Sequence, residues 1–253
     1  NQNYAGAWFS LVWPFSIAFF IEKTKSSLKN YFSIFFLLSI GLAAILTNSR
    51  NAWLSILITL PLVLKISSLY WIFPILLLVA LIITITSNEL FSGEIQETFR
   101  TIIPDKIWME FTQKVKLTRL DIFLSSFKIS LIEPFFGIGA AAFPILYQIY
   151  YQPENYTEQH THNLFLEIAA GYGFIVSSLI FLFIFALIYY SSKELNSGKF
   201  SSKELIINKS WIASSVVLLF SQMNDITYYD GRISIMFWIL LSGLRSIVGS
   251  NEN

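Results

Sequence analysis

The chain has 253 residues, of which 55% are hydrophobic and 17% aromatic. Only 13% are charged, against about 25% in soluble domains, so the composition indicates an integral membrane protein. The net charge of +1 and the lack of a basic block give no reason to expect a nucleic-acid partner, and the absence of cysteine excludes disulfides and thiolate metal sites.

Seven apolar runs predict an all-α, polytopic bundle of transmembrane helices. They cover residues 5–21, 31–46, 52–64, 69–86, 164–190, 205–223 and 233–248. The chain starts at Asn1 in what reads as a loop, without an initiator methionine or a signal peptide, so we expect a fragment whose earlier spans are missing. This pattern predicts transmembrane helices in 1–86 and 162–253, separated by a long loop at 87–161.

The loop at 87–161 is charged and too long for a plain connector, so it should be partly helical. Apolar side chains recur at spacings of three and four and predict an amphipathic helix over 117–132. The stripe consists of Leu120, Phe123, Phe127 and Leu131, with Asp121, Ser125 and Lys128 away from it.

Lysine and arginine in the short connectors predict the orientation. One set of connectors holds nine of them: Lys23, Lys25, Lys29, Lys65, Lys193, Lys199, Lys203, Lys209 and Arg245. The opposite turns hold only Arg50 and Arg232. The lysine-rich set should face the cytoplasm, which places Arg50, the long loop, both histidines and Asp225 together on the outer face.

The only two histidines, His160 and His162, end the long loop just before an apolar run. A helix N-terminus should favour neutral imidazole at His162, the form that a general base needs. Two other interpretations stay open. His162 could be a capping or surface-loop residue, or the two histidines could bind a metal with Glu158 as the third ligand.

Arg50 and Arg119 suit a phosphate-bearing lipid, because each guanidinium offers a planar fork of donors. The plainer interpretations are an interfacial arginine at a helix end for Arg50 and a solvated charge for Arg119. Glu167 lies about one turn into the fifth run, where a carboxylate needs a partner, and an outer-face arginine is expected.

Several stretches together resemble the O-antigen ligase and polymerase family of bacterial envelope membrane proteins. The opening 1–6 resembles its Asn-Pro-Asn-Tyr motif, with Gln2 in place of proline, and 47–54 resembles its Ser-Arg-Gly-Ala-Trp motif, with Asn51 in place of glycine. Arg119 with 133–139 resembles its loop helix and Pro-x-x-Gly-x-Gly turn. Residues 160–164 resemble its His-x-His-Asn signature, and Asp225 resembles an acidic residue in its last outer turn.

The resemblance implies a glycosyltransferase C-like fold and transfer of a glycan from undecaprenyl diphosphate to an acceptor hydroxyl. Catalysis would rest on His162, and the residues that bind substrate would be Arg50, Arg119, His160, Asn163 and Asp225. The arginines would hold the diphosphate, so neither a metal nor another cofactor is expected. The partners would be the lipid-linked donor, a lipid-linked or glycan acceptor and membrane lipids. The site would face the periplasm from the bacterial inner membrane.

Other functions remain open at this stage. The nearest is a polymerase of O-antigen or exopolysaccharide with the same fold, because no residue decides the acceptor. A transporter, including one for inorganic carbon, would carry charged groups in the middle of its spans, whereas the charges here gather at the surfaces. A membrane scaffold with the loop as an interaction module is the third alternative.

Overall fold

The computed structural model describes residues 2–22, 26–71, 73–74, 77–78, 81, 119–151 and 158–249. The chain forms two compact units, one of Asn1–Val63 with Thr118–Asn253 and one of Leu64–Leu117. In the second unit the described part includes a 3-10 turn at Ile66–Ser68. The greater part of the fourth predicted span, 69–86, lies outside the described residues, as do 87–118 and 152–157 of the predicted loop.

The α-helices that the structure delimits follow the predicted apolar runs in most cases, but the helix at Phe143–Tyr151 was not predicted. They are α1 (Gln2–Ile21), α2 (Ser27–Leu46), α3 (Arg50–Leu64), α4 (Arg119–Ser130), α5 (Phe143–Tyr151), α6 (Leu164–Tyr172), α7 (Phe174–Glu194), α8 (Ser202–Gln222) and α9 (Gly231–Gly249). Among them α1, α2, α7, α8 and α9 are long and apolar enough to cross a membrane. This confirms the predicted all-α polytopic membrane protein. The prediction of a loop at the start of the chain is wrong, because α1 already begins at Gln2.

Helix α1 packs between α2 and α8, and α7, α8 and α9 pack on one another. Serine side chains allow close approach along α8. The hydroxyl of Ser210 donates to the carbonyl of Pro14 at 2.9 Å, and that of Ser214 donates to the carbonyl of Leu11 at 2.8 Å. Small residues whose hydroxyls bond to a neighbouring helix are typical of helix pairs in membranes.

The apolar run at 164–190 forms two helices instead of the one that was predicted. Between α6 and α7 lies Gly173, with a φ of 89°. A Cβ at this position would lie 2.1 Å from the carbonyl oxygen of Phe135, so a side chain does not fit. The turn at Pro134 docks here, because the amide of Phe174 donates to the Pro134 carbonyl at 2.8 Å.

Helix α4 lies within the predicted helix at 117–132, but much of its predicted apolar stripe is exposed. Leu120 and Phe127 of the apolar stripe are exposed, whereas Ser126 and Ser130 are buried. The two serine hydroxyls donate to carbonyls four residues earlier, at 2.6 and 2.8 Å. Burial therefore leaves neither of these two hydroxyls unpaired. Helix α4 packs against α5 and α6, and its exposed surface carries both apolar side chains and the charged residues Asp121 and Lys128.

Candidate active site

His162 lies between two carboxylates at the end of the helix bundle where α1 begins and α8 ends. Its Nδ1 is 2.9 Å from Oδ1 of Asp225, and its Nε2 is 2.9 Å from Oε2 of Glu158. Glu158 and Asp225 are both buried. Buried carboxylates need partners, and an imidazolium can donate one N–H to each of them.

The two carboxylates decide the charge of His162. The hydrogen bonds to Asp225 and then to Glu158 raise the pKa of His162 from 6.5 to about 9, against a lowering effect of burial. The ring is therefore an imidazolium at neutral pH. The neutral imidazole expected from the helix end is wrong, because two carboxylates in direct contact outweigh the partial charge of a helix terminus.

Asp225 stays charged in spite of its burial. Burial alone would raise the pKa of this carboxyl group, but four interactions hold the pKa below its usual value. They are the hydrogen bond and the charge of His162, the charge of Arg119 and a hydrogen bond from Asn3. The site is thus a compact cluster in which the positive charge of His162 lies between two carboxylates and that of Arg119 acts on Asp225.

The loop before α6 holds His162 in a left-handed backbone conformation. Its φ is 55°, which costs a residue other than glycine about 1–3 kcal/mol. Asn163 caps α6 by accepting from the Leu166 amide at 3.1 Å, and its own side-chain amide donates to the Met223 carbonyl at 3.1 Å. The Asn163 side chain, predicted to bind substrate, therefore ties this loop to the turn that carries Asp225.

The turn between α8 and α9 is built around Gln222, which is fully buried. Its Oε1 accepts from the amides of Thr227 and Tyr228 at 3.0 and 3.1 Å. Its Nε2 donates to the hydroxyl of Thr227 at 2.7 Å. These bonds fix the turn, and with it the position of Asp225 beside His162.

Two sequence motifs far apart in the chain meet at Asp225. The side-chain amide of Asn3 donates to Oδ2 of Asp225, and Oδ1 of Asn3 accepts from the hydroxyl of Ser49 at 3.1 Å. A Cβ on Gly6 would lie 2.8 Å from the Cβ of Ser49, so the glycine permits this approach of α1. The hydrogen-bond chain reaches Ser49, the residue before Arg50.

The two predicted arginines are placed differently with respect to this cluster. The guanidinium of Arg119 donates to the carbonyl of Asn224, and its charge acts on Asp225, so Arg119 belongs to the cluster. Arg50 is exposed and is the first residue of α3, and its neighbour Ser49 is linked to the cluster through Asn3.

The opposite end of α1 carries an ion pair with a lysine of the short connectors. Glu22 follows α1 there, and its Oε1 lies 2.6 Å from Nζ of Lys203 at the start of α8. Lys203 belongs to the connectors predicted to face the cytoplasm. The grouping of Arg119, both histidines and Asp225 at one end, away from this lysine, agrees with the predicted shared face.

Glu167 has partners other than the arginine that was predicted. Its Oε1 accepts from the hydroxyl of Tyr229 at 2.6 Å, and its Oε2 accepts from the amide of Thr161 at 2.9 Å. Burial, together with the Glu167 carboxylate, raises the pKa of Tyr229 above its usual value. The phenol therefore remains a donor, and among the described residues the partners of Glu167 are a tyrosine and a backbone amide rather than the predicted arginine.

A cavity of about 940 Å³ opens beside the cluster and is lined by residues of α6, α7 and α9. His160, Glu167 and Tyr229 contribute polar groups to its wall, and apolar side chains such as Phe183 and Trp238 form most of the rest. The centre of the His160 ring lies 5.3 Å from the centre of the His162 ring and 6.1 Å from that of the Tyr229 ring. Such a wall suits a ligand with both apolar and polar parts.

His160, His162 and Asp225 could also hold a metal ion, because one potential ligand atom from each lies within 4.8 Å of the others. Two histidines and a carboxylate form a set that zinc accepts. The sequence-based alternative had Glu158 as the third member, but Glu158 bonds to Nε2 of His162. A metal would have to replace a proton on His162 and open one of its two hydrogen bonds.

Comparison with known proteins identifies the family to which the chain belongs. The model of the O-antigen ligase family matches residues 34–181, more than half of the chain. The chain belongs to the O-antigen ligase family. No curated protein matches it. Membership in the family, with the five apolar helices, makes this an integral membrane protein and supports a glycosyl-transfer role in O-antigen assembly. It also suggests lipid-linked glycans as substrates.

Proposed function

We propose that this protein transfers a glycan from an undecaprenyl-diphosphate-linked donor to an acceptor hydroxyl at the periplasmic face of the bacterial inner membrane. The observation that carries the proposal is His162, held between Asp225 and Glu158 with Arg119 beside them. Transfer from a diphosphate needs a group that handles the hydroxyl proton and a cation that stabilises the leaving group. The cluster offers both. The lysine-rich connectors support the orientation.

The arginines act on the leaving group. The bond between the anomeric carbon and the diphosphate oxygen breaks, and its electron pair stays on the diphosphate. Arg119 and Arg50 bind this group, and each charged hydrogen bond contributes about 1.5–3 kcal/mol. The guanidiniums supply the positive charge, so the scheme requires no metal ion.

The proton of the acceptor passes to His162. The acceptor hydroxyl takes the place of Glu158 at Nε2, while Asp225 keeps Nδ1 and orients the ring. Loss of one carboxylate partner lowers the pKa of His162 towards the operating pH, so the ring first releases its Nε2 proton to solvent. The neutral Nε2 then accepts the proton of the acceptor hydroxyl as the oxygen attacks. The hydroxyl oxygen attacks the anomeric carbon from the side opposite the diphosphate, which inverts its configuration.

Reconstituted transfer tests the proposal. Purified protein in vesicles would receive a polyprenyl-diphosphate-linked oligosaccharide and a hydroxyl acceptor, and polyprenyl diphosphate and product would be quantified. We expect both to form together, at a rate that rises with pH towards about 9. Folded protein that releases no polyprenyl diphosphate would contradict the donor chemistry. A rate that falls as the pH rises through 9 would show that the imidazolium is the active form.

The acceptor in the same assay separates a ligase from a polymerase. A ligase consumes the donor only when a separate acceptor, such as a lipid-anchored core glycan, is present. A polymerase joins two donor glycans and therefore lengthens the lipid-linked chain without an added acceptor. We expect ligase behaviour, and chain lengthening on the donor alone would assign the polymerase reaction to the same site.

A further inference from the structure

We infer that Glu167 is a positioning residue that, held by Tyr229, fixes the backbone of the loop carrying His162. The consequence for glycan transfer rests on the proposed function of His162. The clamp itself is a feature of the fold and can be measured without the reaction.

The clamp is a set of two hydrogen bonds on one carboxylate. Oε2 of Glu167 accepts from the backbone amide of Thr161, the residue before His162, at 2.9 Å. Oε1 accepts from the hydroxyl of Tyr229 at 2.6 Å. Thr161 is fully buried, so its amide cannot turn to water for a partner. Tyr229 belongs to the turn after α8, so the carboxylate joins that turn to the histidine loop.

The conformation of His162 explains why a clamp is needed. A positive φ at a residue other than glycine persists only when the surrounding structure enforces it, and the φ of His162 is 55°. On one side, Asn163 is held by its bonds to Leu166 and Met223. On the other side, the amide of Thr161 is held by Glu167. Without that bond the loop can relax and move the ring away from Asp225 and Glu158.

A direct contact between Glu167 and substrate is the rival role, because Glu167 also lines the cavity. The glutamine variant separates the two. Its carboxamide oxygen can accept from Thr161, and its amide can donate to the oxygen of Tyr229, so Glu167→Gln keeps the clamp without the charge. A charged contact with substrate would be lost in glutamine as fully as in alanine.

The test compares Glu167→Ala, Glu167→Gln and Tyr229→Phe in the full-length chain in vesicles. Glu194→Gln and Tyr189→Phe are matched controls at the other end of α7, where Glu194 pairs with Lys199. Two quantities are measured: hydrogen–deuterium exchange of the segment 158–163, and kcat and KM for glycan transfer.

We expect Glu167→Ala to speed exchange of 158–163 by about tenfold or more. We expect it to lower kcat by about 10- to 100-fold with little change in KM, since a small displacement of a catalytic group has an effect of this size. Glu167→Gln should stay within about threefold of wild type in both quantities. Tyr229→Phe should fall between them, and it keeps the test valid if the alanine variant does not fold.

The outcomes separate the clamp from the proposed function. Unchanged exchange in both Glu167→Ala and Tyr229→Phe would overturn the clamp, whatever the activity. If Glu167→Gln were as inactive as Glu167→Ala while its segment 158–163 exchanged at the wild-type rate, the role of Glu167 in transfer would be a charged contact with substrate. Faster exchange in a protein whose wild type shows no glycan transfer would keep the clamp and refute the proposed reaction.

Discussion

Replacing Asp225 with asparagine should lower the pKa of His162 more than replacing Glu158 with glutamine. Asp225 contributes most to the rise of this pKa from 6.5 to about 9, and Glu158 contributes the next largest part. A charged partner in contact shifts a pKa by about 1–3 pH units. We therefore expect a fall of about 1–2 pH units in Asp225→Asn and a smaller fall in Glu158→Gln.

The same shift links protonation of His162 to folding. The folded chain holds the proton more tightly, so the contribution to the free energy of unfolding is complete below pH 6.5 and is lost as the pH rises through about 9. Its size is at most roughly 3 kcal/mol. Solvent reduces it, because 20% of the side chain is exposed. The unfolding temperature of wild type should decrease across this window, and Asp225→Asn should flatten the decrease.

Histidine-selective isotope labelling and NMR can measure the pKa directly, since the chain has only two histidines. A His160→Gln sample assigns the remaining signal to His162. Titration of His162 near 6.5 in wild type would refute the carboxylate-held imidazolium. An unchanged pKa in Asp225→Asn would refute Asp225 as its main cause.

Three further predictions address the donor site, the helix break and the orientation. Arg119→Ala and Arg50→Ala should each reduce use of the diphosphate donor by about 10- to 100-fold. Lysine at either position should restore it only in part, because lysine lacks the planar fork of donors. Normal glycan output in both alanine variants would contradict binding of the diphosphate by the two arginines. Gly173→Ala should destabilise the protein by more than about 2 kcal/mol, because its Cβ would meet a backbone carbonyl oxygen at 2.1 Å. Gly198→Ala controls for backbone strain, because Gly198 has a φ of 74° and a Cβ added there would meet no atom within 4 Å. Equal losses of thermal stability in the two variants would show that the close contact at Gly173 is unimportant. Cysteine at Ser197, in a chain without natural cysteines, should react with a membrane-impermeant reagent only from the cytoplasmic side, and reaction from outside would reverse the topology.

The apolar runs predicted most of the helices because a membrane span must be both long and apolar. The position of His162 at a helix start was also predictable, since Asn163 is a typical N-cap residue. The break at Gly173 was not. Its cause is the approach of Phe135, and a contact between distant segments leaves no mark on the hydrophobicity of the run itself.

The faces of α4 and the partners of His162 show the limit of pattern alone. Serine counts as polar in a periodicity, yet Ser126 and Ser130 are buried because their hydroxyls bond within their own helix. Glu158 was named from the sequence only as a possible metal ligand, although its spacing of four residues before His162 also permits a hydrogen bond to the ring. The contact of Asn3 with Asp225 could not be predicted, because the two residues are 222 positions apart and a single sequence contains no signal that pairs them.

The most direct test of the account is glycan transfer by purified His162→Ala and His160→Ala proteins with a defined lipid-diphosphate donor, with and without a chelator. We predict that His162→Ala loses transfer, that His160→Ala keeps a reduced rate, and that chelator leaves wild type active. Inactivation by chelator with recovery on addition of zinc would assign the site to a metal held by His160, His162 and Asp225. Full activity in His162→Ala would remove His162 from the reaction and contradict the account.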